Sequence, residues 1–163
     1  MTAPAEKIAV EFVCLGNICR SPLAEGIFRH LVTQAGLQDR FEIASAGMGS
    51  WHVGEPPYPG SIDVARLHGI DISRQRARHF GGSHFDTYHE LLAMDASNLD
   101  GMERLRRPRQ PARAGLMLDE APHLGLREVP DPYGERAPAF EAVFRLLYPA
   151  CEALLARLTP TSG

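Results

Sequence analysis

One stretch, Cys14-Leu15-Gly16-Asn17-Ile18-Cys19-Arg20-Ser21-Pro22, constrains this chain more than any other. It follows an apolar run, Ile8 to Val13, and precedes a helical pattern that starts at Leu23, an order that reads strand, tight loop, helix. The thiol at the strand end faces the space above the sheet. The backbone N–H groups that follow face the same space, with the positive end of a helix dipole behind them. Such a concavity binds a tetrahedral anion. Arg20 closes it, because a planar guanidinium holds two oxygens at once where a lysine ammonium offers a single point charge. The same field favours the thiolate form of Cys14. Cys14 is therefore the candidate nucleophile and Arg20 the oxyanion clamp, with Leu15, Gly16, Asn17, Ile18 and Cys19 lining the anion site. Ser21 reads both as the helix cap and as a hydroxyl donating to the Cys14 sulfur.

The near-continuous apolar run makes Ile8 to Cys14 a central strand covered on both faces. Leu23, Ile27, Leu31 and Ala35 recur as the buried stripe of the next helix, with Pro22 in its first turn and Gly36 as its stop. A second strand, Phe41 to Ser45, runs through Gly47-Met48-Gly49 into a long loop ending at Pro56-Pro57-Tyr58-Pro59. Loops of that length in a compact domain usually carry function. The pattern then predicts a helix over 61–68, a further helical turn at 73–77, a third strand over 89–94, a helix with Leu99, Met102 and Leu105 on one face, and a weak fourth strand over 115–118. Phe140, Val143, Phe144, Leu147, Cys151, Leu154, Leu155 and Leu158 mark a last helix, which Pro149 kinks on its wet side without ending. Strands alternating with helices specify parallel pairing, hence an α/β doubly wound sheet with its ligand beyond the strand C-terminal ends. Residues 1–163 read as a single domain, with 1–6 and 159–163 as loose ends.

A net charge of −3 leaves no footprint for nucleic acid and no basic patch for a membrane. Three cysteines, two of them in one loop, do not make a disulfide framework, which points to a reducing compartment, the cytoplasm by default. A leaderless export route leaves no mark in a sequence. No apolar stretch approaches the ~20 residues of a membrane span. No His, Cys, Asp or Glu spacing resembles a metal site, so no metal is expected.

Cys-x5-Arg-Ser after a strand resembles the phosphate loop of the low-molecular-weight protein tyrosine phosphatases. Ser45-Ala46-Gly47, Trp51-His52-Val53-Gly54, His68-Gly69, Met94-Asp95-Ala96-Ser97-Asn98 and Asp131-Pro132-Tyr133-Gly134 follow in the order and spacing of that family. The resemblance implies a single three-layer domain, with four parallel strands in the order 2-1-3-4 and helices on both faces. It implies hydrolysis of phosphotyrosine and aryl phosphates through a phosphocysteine intermediate, without metal or cofactor. Phosphotyrosine-containing proteins are then the partners, and inorganic phosphate and other oxyanions the product and inhibitors.

Asp131, set between two prolines, reads on its own as a turn former; the resemblance makes it the general acid. The resemblance also makes Trp51 and Tyr133 the walls of an aryl slot, and ties the Asn17 side chain to partners at Ser45 and His68, so that His68 becomes a buried strut. Asp95 and Ser97 read as a helix cap that braces the loop. Where the family shows a second aromatic after Tyr133 this chain has Gly134, which lowers one wall. Cys19 keeps two readings, a packed loop residue or a resolving thiol that forms a reversible disulfide with Cys14. Cys151, on the apolar stripe of the last helix, reads as core.

Three rival readings exist. A thiol-dependent arsenate reductase needs a relay of further thiols, and only Cys19 is placed to supply one. A protein-arginine phosphatase on the same fold belongs to a branch with a small polar residue where this loop has Ile18. A phosphate-binding module without activity has no use for Cys14, Arg20 and Asp131 together.

Overall fold

The computed structural model describes residues 6–160, so the loose ends expected at 1–6 and 159–163 lie largely outside the described residues. Strands β1 (Ile8–Cys14), β2 (Phe41–Gly47), β3 (Glu90–Ala93) and β4 (Arg113–Leu116) form one parallel sheet in the order β2-β1-β3-β4. That is the order the resemblance implies. Successive side chains of a strand face opposite ways. Val10, Phe12 and Cys14 accordingly enter one apolar layer, and Ala9 and Val13 enter the other. The first layer is covered by α1 (Arg20–Gln34), α2 (Pro59–Leu67) and α5 (Ala137–Leu158), the second by α3 (His84–Thr87) and α4 (Ala96–Leu105). Phe12, Phe28 and Phe41 meet edge to face with centroids 5.7 and 5.4 Å apart, closing the first layer. Pairs of this kind contribute about 0.5–1.5 kcal/mol beyond the area they bury.

α1 starts at Arg20, earlier than the apolar stripe suggests, and its N-cap is Cys19, with no side-chain cap. Ser21 is therefore not the cap. It sits inside the first turn, whose free N–H groups face the loop cavity, where an anion would satisfy them. The buried face of α1 runs through Leu23, Ala24, Ile27, Phe28 and Val32, while Ala35 is exposed. Gly36 ends the helix with φ of 72°.

The helical turn expected at 73–77 is cut to a single turn at Ser73–Arg74, closed by Gln75 N–H donating to Ile72 O at 3.1 Å. The segment beyond it lies extended along the end of β2, where Gly47 N–H donates to Arg78 O and Phe80 N–H donates to Gly47 O, both at 2.8 Å. Ala77, just before it, pairs with the long loop, its N–H donating to Glu55 O and its carbonyl accepting from Gly54 N–H, both at 2.9 Å, so its backbone groups are not free to continue a helix. β4 ends at Leu116, two residues sooner than the pattern suggests, because Met117–Glu120 coil into a 3-10 turn. The four-residue α3 is absent from the sequence reading, being too short to show a period. α5 continues through Pro149, which is half-buried and not on a fully wet face.

Candidate active site

Cys14 ends β1 where the chain connections diverge, to β2 on one side and β3 on the other, and it is only 2% exposed. Its own carbonyl and three of the loop after it are held from outside. Met48 N–H donates to Cys14 O at 2.9 Å, Gly49 N–H to Leu15 O at 2.8 Å and Tyr58 N–H to Ile18 O at 2.8 Å. The Ser61 hydroxyl donates to Cys19 O at 3.1 Å. With these carbonyls turned outward, the N–H groups of residues 15, 16 and 19, on the opposite side of the same trans peptide planes, turn inward, and no N–H of residues 15–19 donates to a protein group among the described residues. Asn17 adopts φ of 57°, in the left-handed region that asparagine enters more readily than most residues. Gly47 backs the loop so closely that a β-carbon there would stand 2.8 Å from Gly16 C and 2.9 Å from Asn17 N. Only glycine fits.

Arg20 is buried, and its Nη1 donates to Asp95 Oδ2 at 2.7 Å and to Val129 O at 2.9 Å. Those two bonds leave the Nε and Nη2 edge for a ligand. Asp95 performs both of its expected jobs, since its other oxygen caps α4 by accepting from Asn98 N–H at 2.8 Å. Asp131 Oδ2 lies 3.8 Å from Arg20 Nη2, while its Oδ1 accepts from Tyr133 N–H at 3.1 Å. Asp131 thus forms the turn and also faces the site.

These groups open into one cavity of about 300 Å³, lined by Cys14, Leu15, Gly16, Ile18, Cys19, Arg20, Trp51, His52, Asp131 and Tyr133. Trp51 and Tyr133 stand at its mouth, with the His52 ring between them at centroid distances of 6.1 and 6.5 Å. Tyr58 supports Tyr133 at 5.1 Å and stacks on Phe140. Gly134 takes φ of 79°, a conformation that disfavours a side chain, and a β-carbon there would meet nothing within 4 Å.

Beneath the cavity, Ser21 Oγ stands 3.0 Å from Cys14 Sγ, and Asn17 Nδ2 donates to Ser21 Oγ at 2.8 Å and to Ser45 Oγ at 2.9 Å. His68 takes no part in this arrangement, which corrects the expectation of a buried strut. It is exposed at the end of α2, stacked on Phe144 at 3.9 Å with Nε2 3.0 Å from the Glu141 carboxylate. The third partner of Asn17 is instead the backbone N–H of Arg78, donating to Oδ1 at 2.8 Å. The extended segment beside β2 delivers that donor, whereas the end of α2 packs against α5.

His52, Ser61, Glu25 and Arg78 are site or support residues that the sequence reading did not single out. His52 carries a signal, as it lies inside a quoted motif. Glu25 carries another: it is a carboxylate one helical turn from Ser21 in the middle of an apolar face. Ser61 and Arg78 have none. Burial above all, then the Asp131 carboxylate and the Cys14 thiol, pushes the Cys19 thiol up to about 12. Cys151 is fully buried in the core beside Ala24 O, and burial pushes its thiol up as well. All three cysteines are free thiols. Among the described residues no three His, Cys, Asp or Glu side chains converge as metal ligands.

A parallel α/β sheet that presents a thiol, a ring of inward N–H groups and a guanidinium edge at its switch point defines a cysteine-based oxyanion-binding protein. The family model described as low molecular weight phosphotyrosine protein phosphatase matches residues 9–162. The low molecular weight protein-tyrosine-phosphatase YfkJ of Bacillus subtilis is 39% identical over 151 residues, covering 93% of this chain and 96% of that protein. The crystal structure of YfkJ superposes with a TM-score of 0.88, covering 96% of this chain and 97% of the other. The low molecular weight phosphotyrosine protein phosphatase of Sus scrofa is 38% identical over 156 residues, covering 92% of this chain and 95% of that protein. A Drosophila arginine phosphatase structure superposes with a TM-score of 0.87 at 30% identity, covering 94% of this chain and 99% of the other. The chain belongs to the low-molecular-weight phosphotyrosine protein phosphatase family.

Proposed function

We propose that this protein is a protein tyrosine phosphatase that hydrolyses phosphotyrosine and aryl phosphates through a phosphocysteine intermediate. The observation that carries the reading is the convergence of a thiol, free loop N–H groups, a guanidinium edge and a half-exposed carboxylate on one cavity with aromatic walls. The Cys14 sulfur attacks phosphorus in line, forming an S–P bond as the P–O bond to the aryl group breaks. Asp131 gives its proton to the departing phenolate oxygen. The loop N–H groups and Arg20 hold the equatorial oxygens, whose charge is then stabilised by dipoles already in place. Water next gives a proton to the Asp131 carboxylate while its oxygen bonds to phosphorus. The S–P bond breaks, the electron pair returns to sulfur, and the Ser21 hydroxyl donates to the thiolate that leaves.

Ile18 favours tyrosine over arginine, because its apolar side chain lines the cavity where a phosphoguanidinium would call for a polar partner. A thiol relay for arsenate has little support, since Cys19 is held protonated and Cys151 sits within the helical layer. Phosphotyrosine proteins are the partners this reading implies, in the cytoplasm; among the described residues no helix is long and apolar enough to cross a membrane.

The test is Asp131→Asn on phenyl phosphates of graded leaving-group basicity. Phenolate with a pKa of about 10 leaves poorly unaided, so loss of the acid lowers kcat/KM by ~10²–10⁴ for basic leaving groups. Nitrophenyl phosphate suffers least. An equal loss on every leaving group would reduce Asp131 to a turn former, and equal turnover of phosphoarginine and phosphotyrosine would remove the argument from Ile18.

A further inference from the structure

Glu25, on α1, is a carboxylate only 8% exposed that the chemistry above does not use. Its Oε1 accepts from the Ser45 hydroxyl at 2.6 Å, and its Oε2 lies 2.8 Å from Arg29 Nη1. Ser45 Oγ in turn accepts from Asn17 Nδ2, and that nitrogen also donates to Ser21 Oγ, which faces the Cys14 sulfur at 3.0 Å. An unbroken chain of hydrogen bonds therefore joins a buried carboxylate to the reacting thiol.

The donors in this chain have one consistent direction. An ionised carboxylate only accepts, so the single Ser45 proton points to Glu25, and the Ser45 oxygen is left to accept from Asn17. Asn17 is held the same way round from its other end, where Arg78 N–H donates to Oδ1 at 2.8 Å. Both hydrogens of Nδ2 are then committed, one to each serine. Ser21 accepts one of them, which leaves its own proton for the sulfur. We propose that Glu25 is a positioning residue: together with the Arg78 N–H it sets the polarity of the chain, so that Ser21 is a donor to Cys14 both before attack and when the thiolate leaves. The inference rests on the reading of Cys14 as nucleophile. It assigns the Glu25 carboxylate a task at a sulfur it does not touch.

The experiment compares the wild-type protein with Glu25→Leu, Glu25→Gln, Ser45→Ala and the Glu25→Leu/Ser45→Ala pair, each verified as folded by circular dichroism. In Glu25→Leu the pH profile of Cys14 alkylation by iodoacetate moves to higher pH, and kcat for nitrophenyl phosphate falls about three- to tenfold, the range of a single hydrogen bond. Inhibition by inorganic phosphate, which reads the N–H ring and Arg20, stays within about twofold. Glu25→Gln, whose amide oxygen still accepts from Ser45, remains near wild type. On the Ser45→Ala background Glu25→Leu adds nothing, because its influence passes through that hydroxyl. A wild-type alkylation profile and kcat in Glu25→Leu overturn the proposal. So does an effect of Glu25→Leu that persists undiminished when residue 45 is alanine. If Glu25→Leu does not fold, Ser45→Ala decides: an upward move of the alkylation profile supports the relay and an unmoved one overturns it. Turnover by Cys14→Ser would instead overturn the nucleophile itself, so the two failures are distinguishable.

Discussion

The floor of the cavity and its rim differ in how many bonds hold each side chain. On the floor, Cys14 and Arg20 are each 2% exposed and Asn17 is 3% exposed. Asn17 uses both its oxygen and its nitrogen in hydrogen bonds, and Arg20 is held through Nη1 by a carboxylate and a backbone carbonyl. At the rim, Trp51 is 64% and Tyr133 56% exposed, and the pair is positioned by ring contacts with His52 and Tyr58. On the function proposed above, the contrast follows from what each half binds. Charge that develops on phosphoryl oxygens is stabilised by dipoles only if these do not reorganise during the reaction. An aryl group carried on different protein substrates needs apolar area and little more.

Substitutions on the floor are the sharpest way to break this comparison. Cys14→Ser abolishes turnover in steady-state assays yet keeps binding of phosphate analogues, because the serine hydroxyl is not an activated nucleophile while the N–H ring remains. Arg20→Lys preserves the charge and loses both the two-point contact with the ligand and the simultaneous bonds to Asp95 and Val129. A fall of ~10²–10³ in kcat is expected, the cost of one oxyanion donor, and near-normal kinetics would mean that charge alone suffices.

Rim substitutions act more gently and on a different constant. Trp51→Ala or Tyr133→Ala raises KM for phosphotyrosine peptides about three- to tenfold, in line with 0.5–1.5 kcal/mol for an aromatic pair. Phosphate inhibition stays unchanged in both. If either variant weakened phosphate as much as peptide, floor and rim would be one unit.

The smallest effect comes from the thiols at and below the floor. Cys19 is held protonated up to about 12 against an ordinary value of 9.0, and Cys151 is also raised. The unfolded chain therefore releases protons near pH 9 that the folded chain still binds. Stability contributed by the two neutral thiols is complete below that value and falls as pH rises through it towards the folded value. Thermal unfolding should show the midpoint dropping between pH 9 and 11, by about 2–4 °C for each kcal/mol lost. Cys19→Ser flattens part of that slope. For the same reason, iodoacetate at neutral pH should label Cys14 and leave Cys19 untouched, which peptide mapping reads directly.

Much of the anion half was legible before any coordinates. The thiol, the amides and the guanidinium lie within Cys14 to Arg20, so a strand, a tight turn and a helix start bring them together by local geometry alone. Parallel pairing and the two-sided burial of β1 followed from alternating elements and a near-continuous apolar strand. The order of the strands, and Asp131 as more than a turn former, came from the resemblance to a family. Ser21 stands beside the sulfur, as the sequence suggests, but is not the cap, because the helix begins one residue before it.

Tertiary structure alone decided which distant groups hold the loop. Arg78 reaches Asn17 across 61 positions, Ser61 reaches Cys19 across 42, and Ser45 reaches Glu25 across 20. His68, which the family resemblance would tie to Asn17, meets Glu141 instead, because the end of α2 packs on α5. A hydrogen bond between remote residues depends on how layers pack to within an ångström, and no periodicity in the chain records that distance. Local order in the sequence set the reacting atoms in one loop; the packing of α1, β2 and the extended segment at Arg78 determined how each of them is hydrogen-bonded.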